Sequence, residues 1–339
     1  MRAIPKSKLL LPALVVAALL VFPVAAQATI AYVKYGRYPL APVVFAASDN
    51  GFDAHPVGRG TDPKVSPDGR WVAYLSEAKI PGLQKLKVVA AGGGRSDLLM
   101  VGRGVSSVTW SPDSSAVAAV SGLRRHRDKL VVIDLPSGGR RIVARGLFRG
   151  LGFSPDGEQV IYARARGRSR TRADIFRVST AGGRPGRLTY DGRSLYPLWG
   201  PDDEIAFVKT EAARRNDLFL MEPDGGGVIR VTRRRFGHSP RRYRPVDWSA
   251  DGERLLTQLK GRRHSDHAVL IDFEAGALWS LERPKKHFVG VAISADGEEV
   301  LGSSGATGPA ADHLVGTVGF GGGRMHVLAQ YAYEPSWSR

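Results

Sequence analysis

The chain has 339 residues, 43% of them hydrophobic and 24% charged, enough apolar content to bury a large core and to exclude wholesale disorder. It has no cysteine, which excludes disulfides, thiolate metal sites, a cysteine nucleophile and a lipid-modified N-terminal cysteine. A net charge of +17 points either to acidic partners or to arginine scattered over solvated surface, and only position along the chain separates the two.

In chain order, Arg2, Lys6 and Lys8 form a positive end, Leu9 to Phe22 an apolar run broken by Pro12, and Ala26-Gln27-Ala28 places small residues at cleavage spacing. The expectation is a signal peptide over residues 1–28. An uncleaved membrane anchor is the alternative, because the uncharged run from Leu9 to Ala28 is long enough to span a bilayer. Either way residues 29–339 are expected outside the cytoplasm, periplasmic or extracellular. Removing the three leader cations from +17 leaves +14.

The rest of the chain is organised by one repeated phrase. Ser66-Pro67-Asp68-Gly69 precedes the apolar run Trp71 to Tyr74, and the phrase returns at Ser111-Pro112-Asp113-Ser114, Ser154-Pro155-Asp156-Gly157, Gly200-Pro201-Asp202-Asp203, Ser249-Ala250-Asp251-Gly252 and Ser294-Ala295-Asp296-Gly297. The intervals are 45, 43, 46, 49 and 45 residues, the length of a propeller blade of four short strands. Proline presets the turn, aspartate accepts backbone hydrogen bonds and glycine takes the left-handed position, so these aspartates read as hairpin residues and not as catalytic carboxylates.

The fourth unit shows the full blade, with strands expected at Leu151 to Phe153, Gln159 to Arg164, Ile175 to Val178 and Arg187 to Thr189. Third strands of other units fall at Leu130 to Ile133, Leu218 to Met221 and Val269 to Ile271. After the leader, Ile30 to Val33, Val43 to Phe45 and Phe52 to Val57 supply a second, third and fourth strand without a first. The missing strand is at the other terminus. Pro335-Ser336-Trp337-Ser338 resembles Asp247-Trp248-Ser249, and Ser338 lies 44 residues after Ser294. The C-terminal strand is therefore expected to pair with the N-terminal three and close an all-β, seven-bladed propeller, with six blades as the alternative. Trp110, Trp199, Trp248 and Trp337 recur at one place in the unit and are read as core between sheets.

The Ser-Pro-Asp-Gly phrase, with an apolar residue before it and a strand after it, resembles the WD-like repeat of TolB-type propellers. The resemblance covers about residues 29–339 and implies the propeller fold. The TolB protein of the envelope is expected to carry a separate α/β domain before a six-bladed ring; the resemblance does not extend to such a domain, and the role in the Tol–Pal system is not carried over.

In such propellers the second-to-third strand loops and the blade-to-blade connections share one face. Arg124-Arg125-His126-Arg127, the alternating Arg164, Arg166, Arg168, Arg170 and Arg172, Arg214-Arg215, and Arg262-Arg263-His264 fall in those loops of units 3 to 6. Arg233-Arg234-Arg235 and Arg241-Arg242 with Arg244 fall in the connection between units 5 and 6. The expectation is a monomer whose basic face meets an envelope protein or an anionic polymer, with contact to a membrane surface as a further option; solvated loops without a partner are the bland alternative. Nucleic acid fits poorly, because the loops lack interleaved aromatic residues for stacking.

The enzymatic alternative is a hydrolase or lactonase-like propeller acting at the channel mouth. The starts of the inner strands offer only Asp62, His287 and Glu334, read as isolated polar groups. His264-Ser265-Asp266-His267 has a spacing that suits a helix, while the segment reads as a loop entering a strand, so no metal and no cofactor is expected. There is no G-x-S-x-G elbow.

Overall fold

The second strand of each repeat is apolar on consecutive positions, not alternate ones: Val72 to Leu75, Ala116 to Val120 and Ile205 to Val208 are all buried. That pattern suits a strand covered on both faces, which is what stacking one sheet against the next provides. The computed structural model describes residues 28–34, 41–122, 128–135, 137–167, 172–212, 215–232, 242–260, 266–281, 288–304 and 313–338. Residues 1–27 and with them most of the signal-peptide expectation lie outside the described residues. Among those described, no helix is long and apolar enough to cross a membrane.

Seven four-stranded antiparallel sheets form the molecule. Six run in simple sequence order, and the seventh joins Ala332–Trp337 to Thr29–Lys34, Val43–Ser48 and His55–Arg59. The expected closure and the count of seven blades both hold. In the closing pair Ile30 faces Trp337 and Lys34 faces Ala332. The Thr29 N–H donates to Ser338 Oγ at 2.8 Å, and the Ser338 N–H donates to Thr29 O at 2.9 Å.

The inner strands are Thr61–Val65, Ser106–Trp110, Phe148–Phe153, Ser194–Trp199, Arg242–Trp248, Phe288–Ile293 and Ala332–Trp337. Each touches the next around a complete ring. Six apolar clusters fill the gaps between blades; one joins Ala73 and Leu86 of blade 2 to Val117 and Ile133 of blade 3, another joins Ile30 of blade 1 to Leu301 and Val315 of blade 7. Trp110, Trp199 and Trp248 are buried in these clusters, as expected, and Trp337 packs against one of them.

The hairpin phrase works as a hydroxyl latch. Ser111 Oγ donates to Asp113 Oδ1 at 2.6 Å and accepts the Ala116 N–H at 2.8 Å, and Ser66, Ser154, Ser249 and Ser294 repeat the arrangement with Asp68, Asp156, Asp251 and Asp296. The Gly200 phrase has no serine; there Trp199 Nε1 donates to Asp203 Oδ1 at 3.1 Å. Two strand expectations shift. The fourth strand of blade 1 begins at His55, because Ser48 to Gly51 turn the chain and leave Phe52 92% exposed. In blade 4 only Gly186–Arg187 is strand, since Thr189 leaves the ladder to accept the Ile175 N–H on its Oγ1 at 2.9 Å.

Candidate functional site at the channel mouth

Antiparallel alternation puts the start of every inner strand, the end of every second strand, the start of every third and the end of every outer strand at one end of the molecule; the Ser-Asp hairpins lie at the other. The register between inner and second strand slips in every blade, as between Thr61 and Lys64, Leu195 and Leu198, and Pro245 and Asp247. These are β-bulges, which bend a strand and re-aim its side chains. Asp62, Ser107, Tyr196 and Glu334 sit in them at φ between 51° and 54°, a left-handed conformation unusual without glycine. Proline follows Asp62, Tyr196, Arg244 and Glu334, where a strand edge turned to the channel needs no N–H.

The ring surrounds a channel of about 1040 Å³ whose middle is walled by Val108, Leu151, Leu198 and Val291. At the mouth, adjacent blades bring Asp62 and Glu334 together: the Asp62 N–H donates to Glu334 Oε2 at 2.7 Å, and Lys64 Nζ lies 2.9 Å from Asp62 Oδ1. Glu334 is exposed as a residue, but the protein packed around its carboxyl pushes that group up and the charge of Asp62 adds to this, against the Asp62 N–H and Lys64, which pull it down. Further round the ring Arg244 places its guanidinium 5.2 Å from the Tyr196 ring centre. Gln258, opposite Arg244 in the next strand, lines the channel with both amide atoms buried and without a hydrogen bond.

The sequence reading treats Asp62 and Glu334 as isolated; the structure joins them, and His287 lies outside the described residues. Of the arginines singled out, Arg124, Arg125, Arg127, Arg168, Arg170, Arg214, Arg234, Arg241, Arg262 and Arg263 also lie outside them. Arg164 stacks on Phe176, with its guanidinium 4.1 Å from the ring centre. Arg166 Nε donates to Asp174 Oδ2 at 2.6 Å, and the Arg172 carbonyl accepts the Arg166 N–H at 2.8 Å. Arg215 Nη2 is 3.2 Å from Glu211 Oε2. Among the described members of this set, Arg244 alone lines the channel.

Sequence reasoning missed the acids that hold these arginines. Asp174 is buried and receives Arg166, Arg187 at 2.9 Å and the Gly192 N–H at 2.8 Å. In the next blade Asp217 holds Arg230, which also lies 3.1 Å from Glu211. A signal was present: in both blades an aspartate opening the third strand is followed 13 residues later by Arg-x-Thr. Among the described residues, no cluster of three or more His, Asp or Glu side chains is arranged to hold a metal ion.

No protein-family model and no curated protein matches the sequence. Solved structures do match in shape. TolB from Acinetobacter baumannii superposes with a TM-score of 0.59 at 16% identity, covering 90% of this chain and 81% of that one. The β-propeller domain of the Trilobed protease from Pyrococcus furiosus, described as having an open velcro topology, gives 0.68 at 14% identity, covering 89% and 92%. An oligogalacturonate lyase in complex with manganese gives 0.61 at 17% identity, covering 88% and 84%. At these identities the likeness is one of fold, and in fold the chain is a TolB-like seven-bladed β-propeller, here with its ring closed by a sheet shared between the two termini.

Proposed function

We propose that the chain is an exported, non-catalytic scaffold of the cell envelope that binds an envelope protein or an anionic polymer through the face where its inner strands begin. One observation carries this reading. The shared closing sheet sets all seven blades in the same sense around the channel, so the strand ends bordering the arginine-rich segments, Ser121 and Asp128, Ala165 and Ala173, and Lys260 and Asp266, lie at one end. Arginine on the segments between these strand ends, in a chain of +17 that falls to +14 without the three leader cations, attracts carboxylates and phosphates, with an affinity that falls as salt rises. The resemblance to TolB supports a place outside the cytoplasm.

The test is retention of the purified chain on an immobilised polyanion over a salt gradient. Replacing Arg164, Arg166, Arg168, Arg170 and Arg172 together by glutamine is expected to bring elution to lower salt. Unchanged retention removes the reading.

The Asp62–Glu334 pair supports a second reading, an enzyme at the channel mouth, since a carboxyl raised beside an ionised partner can pass a proton. A Glu334→Gln change that abolished turnover of a saccharide or lactone while leaving polyanion retention intact favours it over the scaffold.

A further inference from the structure

Six side chains converge on the channel mouth: Asp62, Ser107, Tyr196, Arg244 and Gln258 line the channel or its entry, and Glu334 stands at the rim, bound to Asp62. Their chemistry differs between the two sides. On the side of blades 5 and 6, the Arg244 guanidinium lies over the Tyr196 ring, 5.2 Å from its centre, within cation–π range, and an arginine so placed can fork its N–H groups onto a carboxylate. Beside it the Gln258 amide, buried and unbonded, has donor and acceptor capacity that nothing in the described protein uses.

The side of blades 1 and 2 carries the two carboxyl groups but is not a naked cation site. Lys64 already neutralises Asp62, and the Asp62 N–H already occupies one oxygen of Glu334. What remains is a wall of acceptors with little unpaired charge, which suits hydroxyl groups better than an ammonium. Ser107 adds a hydroxyl between the two sides. A ligand matching both sides has one carboxylate and several hydroxyls on a compact ring.

We infer that the channel mouth binds the terminal residue of a carboxylated saccharide, with Arg244 and Gln258 on the carboxylate and Asp62, Glu334 and Ser107 on the hydroxyls. This rests on the scaffold reading above and names the polymer class. Four of the bulges fit the assignment, since those at Asp62, Ser107, Tyr196 and Glu334 take a polar side chain out of the ladder at the start of an inner strand.

The experiment is calorimetric titration of the purified chain with a hexuronate trisaccharide, a neutral glucose trisaccharide and an amino-sugar trisaccharide. The uronate is expected to bind at least about tenfold tighter than either of the others, the worth of one charge-assisted forked pair. Arg244→Gln is expected to remove that preference and Arg244→Lys to keep part of it, with Arg140→Gln as an unaffected surface control. The two Arg244 variants serve as checks on each other should one fold poorly. Equal affinity for the uronate and neutral sugars, a preference for the amino sugar, or a preference untouched by both Arg244 variants overturns the inference. Polyanion retention on the same preparations separates the two levels: retention without uronate binding overturns the saccharide assignment alone, and loss of both overturns the scaffold reading beneath it.

Discussion

The backbone N–H of Asp62 donates to Oε2 of Glu334 at 2.7 Å across 272 positions of sequence. The bond ties the C-terminal strand, already zipped to the N-terminal strands of its own sheet, to the inner strand of the next blade. Val65 N–H to Ser336 Oγ, at 3.0 Å, adds a second stitch between the same two strands.

Because one strand of six residues closes the ring, deleting residues 332–339 is expected to expose the edge of Thr29–Lys34 and the cluster around Ile30, Tyr32 and Leu301. Calorimetry should show the sharp unfolding transition replaced by a broad one at lower temperature. The milder Ser338→Ala change removes only the acceptor for the Thr29 N–H and is expected to cost about 1 kcal/mol, read as a lower denaturation midpoint.

The pH dependence has two parts of opposite sign. Hydrogen bonds from the seryl hydroxyls hold Asp113, Asp156, Asp251 and Asp296 below the usual carboxylate range. Their contribution is present above the ordinary aspartate value near 4 and is lost as pH falls through the lowered values. Glu334 is raised, so its contribution is present below the ordinary glutamate value and fades as pH rises through its own. Thermal midpoints measured from pH 2 to 7 should fall steeply at the acid end. Glu334→Gln should raise the midpoint at neutral pH relative to the parent chain and change it little near pH 3.

Asp174 anchors two arginines and a backbone N–H from a nearly sealed position, with its side chain 3% exposed. Asp174→Asn keeps an acceptor for the Gly192 N–H but leaves Arg166 and Arg187 facing an uncharged group. A loss of about 1–3 kcal/mol in chemical denaturation is expected, larger than for the exposed pair Arg215–Glu211, where Glu211→Gln should cost under about 1 kcal/mol.

The blades and their closure were legible because they follow from repetition: a serine two residues before an aspartate, an apolar run after it, and Trp337-Ser338 standing where Trp248-Ser249 stand in another unit. The mouth was not. Its bulges place Asp62, Ser107, Tyr196 and Glu334 in left-handed backbone without the glycine that normally marks it, and the recurrent X-Pro at 62–63, 196–197, 244–245 and 334–335 was the trace left in the sequence. The pairing of Asp62 with Glu334 depends on the ring being shut, so neither residue points to the other locally. Arg166 read as a free surface cation because Asp174, eight positions on, lay in the next strand, and only the hairpin between them turns the two together.

The inner-strand bulges separate two jobs that most sheets combine in the same residues. Shape is maintained chiefly by the latches and interlocked blades, while Asp62, Ser107, Tyr196 and Glu334 stand outside the ladder their bulges interrupt and Arg244 stays in register opposite Gln258. Those few positions can therefore be exchanged like the wards of a lock without recasting the propeller, and chains with this frame but another set of side chains at 62, 107, 196, 244 and 334 are expected to admit a different key.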